Sequence, residues 1–182
     1  MKEKKKNKDD KPASSEKGRQ LFLVRHAKSD WNDASLSDFD RPLNERGKKD
    51  APVMAKKLAE RNISIDAFIS SPAKRARRTA AIFAKEFNKD KNDVILESPL
   101  YGASDNIFYD VIKGADDKFT SIALFSHNPG LTDFANELTE VRIDNIPTSG
   151  IFAIKTDAKQ WSDFKNAKKT FWFFDYPKAE AQ

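Results

Sequence analysis

Two histidines and two arginines carry most of the chemistry available to this 182-residue chain. Arg25 and His26 follow Leu21-Phe22-Leu23-Val24, an apolar run with the length of a short interior strand. His127, the other histidine, follows Ser121-Ile122-Ala123-Leu124-Phe125, with Ser126 between. Arg75 lies just beyond a Ser71-Pro72 pair that follows a further strand-like run, Asp66 to Ser70. A neutral imidazole is a competent nucleophile, and the planar fork of arginine matches the oxygens of a phosphoryl group. Two arginines and two histidines around one spot would suit phosphate or sulfate. A histidine held between the arginines could take a phosphoryl group and pass it to water.

Whether these groups meet depends on the elements that carry them. Strand-like and helix-like segments alternate along the chain, which predicts an α/β sheet covered on both faces. Strands are expected at 20–25, 66–70, 94–96, 120–126, 150–155 and 170–174. Ala51, Met54, Ala55 and Leu58 recur at helical spacing, predicting a helix over 44–61 that Pro52 could delay or kink. Ser71 is expected to cap the next helix, with Pro72 at its first position and Ala76, Ala80, Phe83 and Phe87 as its apolar stripe. Further helices are expected over 106–113 and around Leu131 to Leu138. The stretch 29–43 reads as a surface loop. In a largely parallel sheet the strand ends share one edge, where ligands bind and helix N-termini offer N–H groups to anions.

The chain is long enough for one domain with a sizeable core. Its pI near 9.2 suggests nucleic acid, but the basic excess is local. Residues 1–19 hold eight of the 33 Lys and Arg and four of the 28 Asp and Glu, which leaves about +1 for 20–182. The segment 1–19 reads as a disordered basic tail and 20–182 as a single domain. No apolar stretch approaches the ~20 residues of a membrane span, and the N-terminus lacks the apolar centre of a secretory signal. The absence of cysteine excludes disulfides and thiolate chemistry. A cytoplasmic location is expected. Two histidines and scattered aspartates form no recognisable ligand set, so neither metal nor cofactor is expected. Trp31, Trp161 and Trp172 are expected to be packing residues, and Arg77 and Arg78 solvated helix charges.

Three segments resemble the histidine phosphatase superfamily. Arg25-His26-Ala27-Lys28-Ser29-Asp30-Trp31-Asn32 matches its R-H-x-x-[ST]-x-x-N opening. Ser71 to Ala80 matches S-P-x-x-R-A-x-x-T-A, and Ser126 to Gly130 matches (G/S)-H-N-P-G. Details resemble the SixA-type phosphohistidine phosphatases: R-H-A-K-S-x-W at 25–31, D-x-x-R-P-L-x-x-x-G at Asp38 to Gly47, the Leu100-Tyr101-x-Ala103 segment, and Pro147-Thr148 before a strand. The likeness covers about residues 20–178. It implies a phosphoglycerate mutase-like three-layer α/β/α sandwich with a mostly parallel central sheet. It implies His26 as the phosphorylated nucleophile, Arg25, Arg75 and His127 as holders of the phosphoryl oxygens, and Asn32 as a phosphate contact. Lys28 is a candidate substrate contact near the mouth.

Many members of that family use a carboxylic acid to protonate the leaving group, from the segment after the third strand. Here that segment is Leu100-Tyr101-Gly102-Ala103-Ser104-Asp105. Asp105 is its nearest carboxylate, readable as a possible proton donor or as the cap of the next helix. A proton donor is worth ~10²–10⁴-fold where the leaving group is poor. Phosphohistidine expels imidazole, a far better leaving group than an alkoxide. The expected activity is therefore a metal-independent phosphatase acting through phospho-His26 on phosphohistidine in a signalling or phosphotransfer protein. A broader small-molecule phosphomonoesterase and a non-catalytic phosphate-binding module are the alternatives. The expected partner is a phosphorylated protein or small phosphorylated substrate, without nucleic acid or membrane, and the expected state is a monomer.

Overall fold

The computed structural model describes residues 18–177. Among these, six strands form one sheet: β1 (Arg19–Arg25), β2 (Ala67–Ser70), β3 (Ile95–Leu96), β4 (Ser121–Ser126), β5 (Ile151–Thr156) and β6 (Lys169–Asp175). Four helices join them: α1 (Glu45–Ala59), α2 (Lys74–Glu86), α3 (Asp105–Lys113) and α4 (Gly130–Leu138). The strand order is β3-β2-β4-β1-β5-β6, with β3, β2, β4 and β1 parallel and β5 antiparallel to both its neighbours. The sheet is thus mostly parallel, as expected. No helix among the described residues is long and apolar enough to cross a membrane.

Alternation along the strands builds two cores. Phe22 and Val24 of β1, with Phe68 and Phe125, face Met54, Ala55 and Leu58 of α1 and Ala80 and Phe83 of α2. Leu21 and Leu23, with Ile69, Ile122 and Leu124, face Phe108 and Ile112 of α3 and Leu131 and Phe134 of α4. The helix after β1 therefore covers one face, and the helix after the adjacent strand β4 covers the other. That divergence opens a crevice between the ends of β1 and β4, the place where doubly wound sheets bind ligands.

Several boundaries differ from the expectations. Arg19 belongs to β1 and is buried. Its guanidinium bonds the carbonyls of Phe119 and Lys159, pairs with Asp117 at 3.3 Å and lies over the Trp161 ring. The expected tail otherwise lies outside the described residues, apart from Gly18. Pro52 sits inside α1 without delaying it, because Asn44 caps the helix at Gly47 and sets its start. Helix α2 starts at Lys74, not at Ser71-Pro72: Ser71 and Pro72 form a turn before it, and within that turn the Ser71 hydroxyl accepts from Ala73 N–H, short of the helix. Ser104, not Asp105, is the N-cap of α3. Strand β3 is reduced to two exposed edge residues.

Two glycines hold helix starts against the site loops. A Cβ on Gly47 would stand 2.2 Å from the Lys28 carbonyl oxygen, and one on Gly130 only 2.0 Å from that of Ala103. Both contacts are with backbone, so neither can be relieved by a side chain swinging away. Gly130→Ala is expected to destabilise the fold by about 1–3 kcal/mol, the usual cost of forced overpacking. Urea denaturation checks this, and an unchanged midpoint would refute the close approach.

Candidate active site

His26 extends β1 by one residue, its N–H bonding Ser126 O of β4 at 3.2 Å. The next N–H, of Ala27, donates to Thr79 Oγ1 at 3.0 Å, and that hydroxyl donates to Arg75 O at 2.7 Å. Strand end and helix α2 are thereby tied together beside the crevice. The imidazole of His26 is buried, with Nδ1 2.8 Å from the Ala27 carbonyl oxygen. A carbonyl can only accept, so Nδ1 carries the proton and Nε2 keeps its lone pair. Arg75 Nε stands 3.4 Å from that bare nitrogen.

Arg75 is clamped from behind. Its Nη1 bonds Asp38 O at 2.5 Å and its Nη2 bonds Asp38 Oδ2 at 3.0 Å. Asp38 also accepts from Tyr101 Oη at 2.8 Å and pairs with Arg41 at 3.0 Å. Partial burial pushes the Asp38 carboxyl up, but the Tyr101 hydroxyl and the Arg75 guanidinium outweigh it and leave it below the usual range. Asp38 is therefore ionised at neutral pH. Arg41 in turn lies 3.3 Å from the Trp31 ring centroid. Trp31 is 68% exposed, a rim residue and not the packing residue expected.

His127 brings the second imidazole, its ring centroid 5.0 Å from that of His26. Its Nε2 is 2.7 Å from Ser71 Oγ. Tyr101 meets the same ring edge-on at 5.6 Å. Arg25 reaches Ile146 O at 2.9 Å with Nη1, alongside the Asn128 amide. Burial is the main reason both histidines resist protonation. His26 is lowered to about 3, with His127, Arg75 and Arg25 adding positive repulsion against the Ala27 bond. His127 is lowered to about 4, by burial and then by Arg75.

Four buried polar atoms in this region have no protein partner: Arg25 Nε, His127 Nδ1 and Ser149 Oγ around His26, and Arg41 Nη1 beside Asp38. Ser149 belongs to the same spot, since its N–H bonds Arg25 O and His26 O. Each unpaired buried group costs about 1–3 kcal/mol, and folded proteins keep few. A cluster of them around a neutral imidazole, with two arginines, has the chemistry of an oxyanion cradle. Among the described residues, no three His, Cys, Asp or Glu side chains stand together as metal ligands do.

Of the residues expected at the site, Arg25, His26, Arg75 and His127 converge. Asn32 is exposed in the loop that follows, its backbone N–H donating to Asp30 Oδ1 at 2.8 Å. Lys28 is exposed, and its carbonyl anchors Asn44. Asp105 points elsewhere, its carboxyl bonding Glu137 of α4, whose carboxyl is pushed up by burial first and by that bond second. The residues missed were Asp38, Ser71 as a histidine partner, Tyr101 and Ser149. Asp38 and Tyr101 stood within matching segments, but nothing local joins positions 38, 75 and 101.

The comparisons with known proteins agree with this geometry. Residues 21–100 match the histidine phosphatase superfamily (branch 1). A Mycobacterium tuberculosis protein of uncharacterised function is 31% identical over 150 residues, 77% of this chain and 90% of that one. The mitochondrial serine/threonine-protein phosphatase Pgam5 of Drosophila ananassae is 38% identical over 89 residues, 49% of this chain. The match spans only 30% of that relative's length. A solved structure from Agrobacterium tumefaciens, assigned as a SixA phosphohistidine phosphatase, superposes with a TM-score of 0.73 at 25% identity, covering 88% of this chain and 99% of that one. The chain belongs to the histidine phosphatase superfamily, on its SixA-like side.

Proposed function

We propose that the protein is a metal-independent phosphatase that takes the phosphoryl group onto His26 Nε2, with phosphohistidine in another protein as substrate. The carrying observation is the neutral His26 with its proton fixed on Nδ1 and Arg75 Nε beside the free Nε2. Nε2 attacks phosphorus, the phosphorus–nitrogen bond of the substrate breaks, and the leaving imidazole takes its electron pair and then a proton from solvent. Water next attacks phospho-His26, releasing phosphate and restoring the imidazole. Arg25, Arg75 and His127 neutralise the phosphoryl oxygens through both steps. Ser71 Oγ donating to His127 Nε2 would leave Nδ1–H to face an oxygen.

The carboxylates support this substrate class. Asp38, at the site, is held ionised and so has no proton to give, and Asp105 is turned to Glu137. Without a ready acid, alkoxide leaving groups are disfavoured and imidazole is favoured. The likeness to Pgam5 makes phosphoserine and phosphothreonine the competing substrates.

A panel of phosphohistidine, phosphoserine and alkyl phosphate substrates, with and without chelator, tests the proposal. Phosphohistidine is expected to be turned over fastest and unchanged by chelator, and His26→Ala to lose at least ~10³-fold. Chelator inhibition, or His26→Ala near wild-type activity, would overturn it. The pH dependence follows from burial. A lowered histidine pKa keeps the nucleophile neutral until the pH approaches about 3. Neither imidazole should titrate between pH 5 and 8 by NMR, and a midpoint near the ordinary 6.5 for His26 would contradict the assignment.

A further inference from the structure

Beside the active site, on the outer side of α2, lies a groove of about 490 Å³. Its floor includes Leu43, and five cations line it: Lys48, Lys74, Arg77, Arg78 and Lys91. No carboxylate lines it. Lys74, Arg77 and Arg78 stand at i, i+3 and i+4 on α2, Lys48 comes from α1, and Lys91 from the 3₁₀ turn after α2. Convergence from three elements separates this groove from an ordinary solvated helix face.

Four of the five cations are also uncompensated. Lys48 meets the exposed Glu45 at 2.7 Å. Among the described residues the other four have no ion-pair partner. The carboxylates nearest in sequence, Asp90 and Asp93, are turned to backbone N–H groups of their own turn. Such a groove concentrates positive potential over a concave surface.

Its position links it to the phosphoryl pocket. Arg75 turns into the pocket while its neighbour Lys74 turns into the groove. Lys74 N–H bonds Phe39 O at 2.9 Å, next to Asp38, which clamps Arg75. The segment 38–43 therefore runs from the pocket, where Asp38 clamps Arg75, to the groove, where Pro42 and Leu43 line one side. We propose that the groove is the docking surface for an acidic segment of the phosphorylated protein substrate, flanking the side chain presented to His26. This rests on the phosphatase reading above and adds to it the charge of the partner. A chain entering the pocket would cross the 38–43 segment and lay its neighbouring carboxylates among the five cations.

The experiment uses the full chain, free phosphohistidine, and phosphohistidine peptides flanked by either glutamates or serines. The wild type is expected to prefer the glutamate peptide over the serine peptide by roughly tenfold in kcat/KM, the scale of several exposed ion pairs acting together. That preference should shrink as salt rises. R77E/R78E should abolish the preference and leave free phosphohistidine turnover unchanged, and R77Q/R78Q should fall between. No wild-type preference, or a preference that survives R77E/R78E, would overturn the proposal. So would equal loss on all three substrates. If no phosphohistidine substrate is turned over, the phosphatase reading fails by itself. Binding of the unphosphorylated glutamate peptide to wild type against R77E/R78E then still decides the groove. An RNA oligomer that outcompetes the peptide would assign the groove to nucleic acid and overturn the acidic partner.

Discussion

The hydrogen bond from His26 Nδ1 to the Ala27 carbonyl, 2.8 Å long, decides which ring nitrogen is free. The proposed phosphoryl transfer depends on that choice. A protonated Nε2 would repel Arg75 and could not attack phosphorus. A tautomer left to exchange would be reactive only part of the time. The bond exists because the chain turns as it leaves β1, with the Ala27 N–H held by Thr79 and the Lys28 carbonyl by Asn44. Gly47 lets α1 approach that turn closely enough for the second contact. A local backbone bond thus rests on the packing of two helices against one strand end.

Burial has a double effect at this site. It strips water from the imidazoles and keeps them neutral, which is what a nucleophile needs. The same burial leaves polar atoms of Arg25, His127 and Ser149 without protein partners. Such groups cost stability in the free protein, a cost that an anion bound in the proposed cradle would offset. Asp38 works in the opposite direction. It fixes the terminal nitrogens of Arg75 and leaves Nε for the reacting centre, so the positive charge is placed without a flexible search. The outer face of the same helix carries uncompensated cations, so in the proposed mechanism α2 would serve the phosphoryl group on one side while facing solvent with positive charge on the other.

Much of this was legible in the sequence, and the exceptions share a cause. Strands β1, β2 and β4 were readable because buried parallel strands are continuous apolar runs. Helices α1 and α4 were readable because their core stripes recur at helical spacing. Arg25, His26, Arg75 and His127 were readable because each follows one of those strands closely. Asp38, Tyr101 and Ser149 were not, because their meeting depends on how the 29–43 loop folds over α2 and on the backbone of the turn before β5. Ser71 was misread as a helix cap because Ser-Pro is a helix-start signal, and only the tertiary structure shows its hydroxyl 2.7 Å from a histidine.

The most direct measurement traps the phosphorylated protein with a phosphodonor and reads phosphorus–nitrogen coupling by NMR on ¹⁵N-histidine-labelled material. The proposed mechanism predicts phosphorus on Nε2 of His26, with the proton still on Nδ1. Phosphorus on Nδ1, on His127, or on no histidine in a protein that still turns over substrate would contradict it.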